Sequence, residues 1–335
     1  MKAVTMIACG EPEDVLRFQE IPEPSPPPPH SLRIRLHAAG INPVDAKLRR
    51  RGLLFPNVSL PAVLGCDGAG VVESIGAGVT RFQPGDEVWY CHGGLGREPG
   101  NYAEWNHVPE TVAQPKPKTL SWAEAAASPL VLLTAWEALF DRARLLAGQT
   151  VLIHAGAGGV GHLAIQMAKL AGARIATTVG SQEKAEWARR WGAEKVILYR
   201  EQNFVEAILD WTGGRGVDVA FDTVGPEIFR QSIPAVAPYG DLVTLLAPDP
   251  GMDWQEARVR NLRIGFELML TPMLRDLPEA RDHQGEILRR CGEWFDQHKL
   301  TLLVSHTFPL AEAIRAHHLI EAGRTLGKMV LTMDV

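Results

Sequence analysis

The stretch "HAGAGGVGHL" at residues 154–163 constrains the fold more than any other, with glycines at 156, 158 and 161 between an apolar run and a helical pattern. A lone Gly-x-Gly-x-x-Gly is weak, but one that follows a buried strand and opens a helix is the first turn of a βαβ unit. Val160, Leu163, Ala164, Met167, Leu170 and Ala171 recur at helical spacing. Gly161 then lets that helix pack closely on the strand, Gly156 permits the tight turn, and Gly158 lets the backbone approach a pyrophosphate. The ligand's negative charge meets unpaired N–H groups at the helix start. Gly159 and Val160 lie on the same turn and are read with the three glycines as cofactor-binding.

The text around the loop agrees. "TVLIHA", "ARIATTV", "KVILY", "VDVAFDTV", "DLVTLLA" and "RIGFELML" alternate with helical segments, which predicts a doubly wound parallel sheet of six strands. Residues 1 to about 118 differ: short β-like runs such as "SLRIRLHAA", "GAGVVESIG" and "DEVWYC" are separated by glycine and proline turns. The proline-rich "IPEPSPPPPHSLRIRL" stiffens a connection between two early strands. Helical text begins at Ser121, an N-cap with Glu124 three residues on, in "SWAEAAASPLVLLTAWEALFDRARL". After about 270 an amphipathic helix, "EILRRCGEWFDQH", and strand-like "LGKMVLTM" return to complete the first domain. The expected domains are 1–120 completed by 267–335, and 121–266, in keeping with a length of 335 residues.

Composition narrows the partners. A net charge of -5 with scattered lysines and arginines leaves no basic stripe for nucleic acid, and "LRRRG" at 48–52 reads as a solvated surface turn. Cys9, Cys66, Cys91 and Cys291 form no Cys-x-x-Cys pair, against both a disulfide framework and a thiolate zinc site. "MKAVTMIACG" has no apolar signal region, and no window is long enough to span a bilayer. The expectation is a soluble cytoplasmic protein whose partner is a small molecule, with no nucleic acid or membrane.

A dinucleotide fold that takes NAD carries an acid about 20 residues past the loop, at the end of the second strand. Here that strand reads "ARIATTVGSQEK", with no acid before Glu183. A carboxylate repels a 2'-phosphate, whereas Ser181 can donate a hydrogen bond and Lys184 can supply the opposing charge. NADPH is the cofactor expected.

With these residues in place the chain resembles the medium-chain dehydrogenase/reductase superfamily, in its zinc-free quinone oxidoreductase, or zeta-crystallin-like, branch. "AAGINPVDAKLRRRG", "LPAVLGCDGAGVVESIGAGVTRFQPGDEVW", "LTAWEAL", "AGAGGVGHLAIQMAKLAGA", "GGRGVDVAFDTVG" and "GKMVL" match in order over nearly the whole chain. The resemblance implies a GroES-like β-rich catalytic domain with a Rossmann NADPH-binding domain inserted, and a homodimer. It implies that Ser181, Lys184 and Tyr199 line the 2'-phosphate, that Thr134 and Leu245 lie near the nicotinamide, and that Asn42 faces the cleft. Zinc-dependent relatives place a cysteine ligand early and a Gly-His-Glu in the following strand-turn; this chain has Asn42 in "GINPVD" and Cys66-Asp67 in "GCDGAG". Cys66 and Asp67 alone fall short of the three or four ligands zinc takes, so no metal is expected. Lys47 stands where many of the branch carry a tyrosine. Asn42, Lys47 and Asp67 are the catalytic candidates, while His37, His92, His107 and His154 lack ligand spacing and are read as structural.

Hydride transfer to a simple aldehyde leaves an alkoxide that needs a Lewis acid or a strong donor. Transfer to a quinone, or to the β-carbon of an α,β-unsaturated carbonyl compound, leaves a delocalised anion that solvent can protonate. The expected activity is NADPH-dependent, zinc-independent reduction of quinones or enones. A zinc-type alcohol dehydrogenase and a nucleotide-binding structural or regulatory protein of crystallin type are the alternatives, separated by metal content and by turnover.

Overall fold

The computed structural model describes residues 1–55, 58–323 and 325–333. The chain divides into two compact units, Met1–Leu130 with Leu270–Val335, and Val131–Met269.

The first part of the first unit runs β1 (Lys2–Met6), α1 (Pro12–Val15), β2 (Leu16–Glu20), β3 (Ser31–Ile41), α2 (Pro43–Arg51), β4 (Ala62–Val63), β5 (Asp67–Ile75), β6 (Glu87–Cys91), β7 (Trp105–Pro109), β8 (Gln114–Pro115) and α3 (Trp122–Ala127). Ser121 caps α3, its hydroxyl accepting from Glu124 N–H while the Glu124 carboxylate accepts from Ser121 N–H. The helical text does not continue unbroken. Pro129 has no N–H to bond back into α3, so a separate helix, α4 (Pro129–Trp136), begins there, followed by a π-helical turn over Glu137–Arg142.

The second unit then alternates β9 (Thr150–Ile153), α5 (Gly161–Leu170), β10 (Arg174–Val179), α6 (Gln182–Trp191), β11 (Lys195–Leu198), α7 (Phe204–Trp211), β12 (Val217–Asp222), α8 (Pro226–Ser232), β13 (Val236–Thr244), α9 (Gln255–Val259) and β14 (Arg263–Phe266). Its sheet has the order β11-β10-β9-β12-β13-β14, every neighbouring pair parallel, so strand order reverses beside β9. All four residues of β9 are buried, as a strand covered on both faces requires. Leu152, Ala176, Ile197 and Leu242 pack with Phe204, Ile208 and Phe229 of the helices.

The chain returns to the first unit through α10 (Thr271–Leu274), α11 (Pro278–Asp296), β15 (Val304–Pro309), α12 (Ala313–Ala322) and β16 (Lys328–Thr332). β16 enters the larger sheet, β15-β16-β3-β5-β6-β8, between β15 and β3, and β7 also pairs β3. Residues near the end of the chain thus lie beside Gly40 and Ile41. At Gly40 a Cβ would stand 2.4 Å from Ala126 O and 2.9 Å from Asp67 Cβ, so only glycine lets β3 meet both α3 and β5 there.

One expectation fails. The arginines of "LRRRG" close α2 rather than forming a solvated turn, and Arg49 has no exposed surface. Its guanidinium donates to Gly10 O and to the Glu321 carboxylate, the pairing that a buried cation needs. Arg50 and Arg51 are exposed. No helix of the described residues is long and apolar enough to cross a membrane.

Candidate functional site

Two groups of side chains and backbone donors stand out, one in each unit. In the second unit, the loop between β9 and α5 carries the glycine motif. A Cβ on Gly156 would strike Thr177 Oγ1 at 2.0 Å and one on Gly161 would strike Ala155 O at 2.4 Å, so both glycines serve internal packing. A Cβ on Gly158 would meet only Ala155 O, at 3.2 Å. Gly158, Gly159 and Val160 are half-buried, and the amides of Gly159 and Val160 have no acceptor among the described residues. These donors, with the positive end of α5 behind them, fit a bound phosphate.

His154 anchors this loop. Its Nε2–H donates to Ser232 Oγ (2.9 Å), whose own proton goes to Ile228 O, and its Nδ1 accepts from Thr178 Oγ1 (3.0 Å), which in turn accepts from Ala155 N–H (3.2 Å). Burial holds the ring neutral, with its pKa down at about 3. The histidine therefore acts as a strut.

At the C-terminal end of β10, Ser181 caps α6 and accepts from Lys184 N–H (3.4 Å). The Tyr199 hydroxyl lies 2.7 Å from where a Cβ on Gly180 would stand, and the Arg200 guanidinium sits 5.9 Å from the Tyr199 ring centroid. Partial burial lowers the Lys184 pKa; Glu183 opposes the shift and Arg200 adds to it. Two cations and two hydroxyls thus share one corner, and Arg200 is a member that no motif in the sequence marks. Thr134 is buried in α4, and Leu245, directly after β13, is half-buried with its N–H donated to Asp222 O (3.2 Å).

In the first unit, Asn42, Asp45, Asp67 and Lys328 form a buried polar cluster. The β3–β16 register brings Lys328 beside Asn42, where its ammonium donates to Ile41 O (3.0 Å) and to Asn42 Oδ1. Asn42 Nδ2 donates to Asp67 Oδ2 (2.8 Å), and Asp67 Oδ1 accepts from Leu130 N–H (2.8 Å). Asp45, in the first turn of α2, accepts from Asn42 N–H (2.8 Å) and the Tyr102 hydroxyl (2.9 Å) on one oxygen, while the other has no partner. Burial pushes Asp45 up to about 7 against the pull of those hydrogen bonds. It also pushes Asp67 up and Lys328 down, each shift opposed by the other group's charge.

Of the catalytic candidates, Asn42 and Asp67 are brought together but keep 0% exposure, and both ends of the Asn42 amide are taken. Lys47 lies on the exposed side of α2, its pKa lowered by partial burial and by Arg51. Lys328 and Tyr102 carry no signal in a pattern search, because only strand register and packing bring them to Asn42 and Asp45. Zinc would need thiolates, carboxylates or neutral imidazoles. At this place the Asn42 oxygen faces an ammonium, and Cys66 and Cys91 are buried, their thiol pKa values pushed up by burial. Among the described residues no three His, Cys, Asp or Glu side chains stand together as metal donors.

Comparison with known proteins gives whole-chain matches. An alcohol dehydrogenase GroES-like domain model matches residues 28–118 and a zinc-binding dehydrogenase model residues 191–331. A quinone oxidoreductase of Pseudomonas aeruginosa is 35% identical over 333 residues, covering 98% of this chain and 99% of the relative. A 2-haloacrylate reductase of a Burkholderia species is 33% identical over 312 residues, 91% of each chain. The crystal structure of Escherichia coli quinone oxidoreductase complexed with NADPH superposes with a TM-score of 0.87 at 30% identity, over 99% of this chain and 100% of that one.

Proposed function

Because the chain belongs to the medium-chain dehydrogenase/reductase superfamily, in its quinone oxidoreductase branch, we propose that it reduces quinones or α,β-unsaturated carbonyl compounds with NADPH and without zinc. It is an enzyme, an oxidoreductase. The observation that carries the finer reading is the Lys328 ammonium held on Asn42 Oδ1, a cation set where a Lewis acid for a developing alkoxide would need a donor. A conjugated acceptor needs no Lewis acid, because its anion is delocalised and takes its proton from solvent.

The open amides of Gly159 and Val160 and the methylene face of Gly158 hold the pyrophosphate, with Gly156 and Gly161 shaping the turn. Ser181, Lys184 and Tyr199 hold the 2'-phosphate, and Thr134 and Leu245 lie beside the nicotinamide. When bound, NADPH supplies the hydride. Asn42 and Asp67, being enclosed, act by fixing the junction of β3, α2 and β5, and Lys47 is the candidate whose side chain is free to meet an acceptor.

Product analysis with an enone and deuterium-labelled NADPH tests this reading. The label is expected on the β-carbon of a saturated ketone, with turnover kept in a strong chelator and NADPH preferred to NADH. Label on the carbinol carbon of an unsaturated alcohol would overturn it.

A further inference from the structure

Arg281, in the first turn of α11, is half-buried, yet no carboxylate lies within ion-pair distance of it among the described residues. Its guanidinium reaches only neutral groups: Nη2 donates to Cys91 O (3.4 Å) and to His92 Nδ1 (3.1 Å), and Nη1 has no partner. The Glu98 carboxylate, whose field reaches Arg281, is bonded to Arg97 Nε (3.0 Å). Cys66 and Cys91 are kept as uncharged thiols by burial. Loss of solvent pulls the Arg281 pKa down, as expected for a cation lacking its counter-charge. Since His92 Nδ1 accepts from Arg281 and the ring is neutral, the His92 proton is on Nε2, a second donor with no partner among the described residues. The positive end of α11 adds to the same field.

The position relates this pair to the cluster already described. Cys91 stands opposite Asp67 in the β5–β6 ladder, and His92 follows it, its N–H donating to Cys66 O (2.7 Å). We propose that Arg281 and His92 form a subsite for a carboxylate on the acceptor, so that the substrates include α,β-unsaturated acids. This rests on the reductase reading above. Reduction of such an acid breaks the C=C π bond and forms two C–H bonds, a hydride from the reduced nicotinamide arriving at the β-carbon and a solvent proton at the α-carbon. A free carboxylate resists the hydride because the charge it adds has nowhere to go. A guanidinium on the carboxylate removes that obstacle as well as binding the acid.

The test compares crotonate with its uncharged isostere crotonamide in the full-length protein with NADPH. The parent is expected to favour crotonate in kcat/KM, Arg281→Gln to lower the crotonate-to-crotonamide ratio by about ten- to a hundred-fold, and Arg281→Lys to restore part of it. Butyrate, which cannot be reduced, should compete with a neutral enone in the parent, a measurement that stands even if Arg281→Gln does not fold. An unchanged ratio in Arg281→Gln, or failure of butyrate to compete, overturns the subsite. If the parent reduces no neutral quinone or enone, the reductase reading fails instead, and a rise in melting temperature with butyrate that is largest in the parent, smaller in Arg281→Lys and absent in Arg281→Gln still supports the anion site.

Discussion

Asp45 spends one carboxylate oxygen on two hydrogen bonds and leaves the other without a partner, in a place with no exposed surface. An acid so placed keeps its proton up to about pH 7, whereas in the unfolded chain it ionises near its ordinary value, about 3.9. Between those limits the folded state binds the extra proton. The stability this contributes is full below about pH 4 and lost as pH rises through 7, up to about 4 kcal/mol over the whole window. Asp45→Asn cannot titrate, so its melting temperature should fall less between pH 5 and pH 8 than that of the parent. Equal falls in the two proteins would exclude a neutral Asp45. The residue was not legible as special. In "GINPVD" it reads as an ordinary first-turn acid, and it is burial, helped by the Asp67 charge and opposed by Tyr102 and Lys328, that shifts it. Asn42, by contrast, was legible as a candidate two residues into the same motif, though nothing in the letters says that its amide is closed off by a lysine 286 positions away.

The glycine loop shows which element-level features can be read in advance. Its place between a buried strand and a helix, and the six-strand alternation around it, follow from hydrophobic period and turn residues, which act locally. The three glycines are not equivalent, however, and only the packing separates them. Gly158→Ala adds a methyl with a single neighbour at 3.2 Å, so the fold should hold with little change in melting temperature while NADPH affinity falls about tenfold or more. Gly161→Ala drives the same methyl to 2.4 Å from Ala155 O and should destabilise α5 itself. Thermal melts beside fluorescence titration distinguish the two, and an unchanged affinity in Gly158→Ala would remove the pyrophosphate from this loop. The helical text after Ser121 is less legible. Its composition is helical throughout, yet Pro129 divides it, a local signal outweighed by the surrounding alanines and leucines.

For the whole molecule, β14 ends the six-stranded sheet and leaves Phe266 and Leu268 59% and 50% exposed. An apolar sheet edge of this kind calls for a partner, and a homodimer paired through it is expected by light scattering at micromolar concentration, with Phe266→Asp shifting it to monomer. A monomeric parent would count against that. The return of the chain after about 270 was legible from "LGKMVLTM", but its insertion between β15 and β3 was not, because sheet order depends on contacts that no local pattern encodes. That insertion has a consequence in time. Ile41 and Lys328, which touch in the finished protein, are 287 residues apart, and at 5–20 residues per second a ribosome needs roughly 15–60 s to pass from one to the other. Throughout that interval β3 has been made but its neighbour β16 has not, and before it ends every strand of the six-stranded sheet has been made. The newborn chain therefore passes through a stage in which the unit that carries the glycine loop can be complete and the unit that carries Asn42 still waits, its sheet open, for β16.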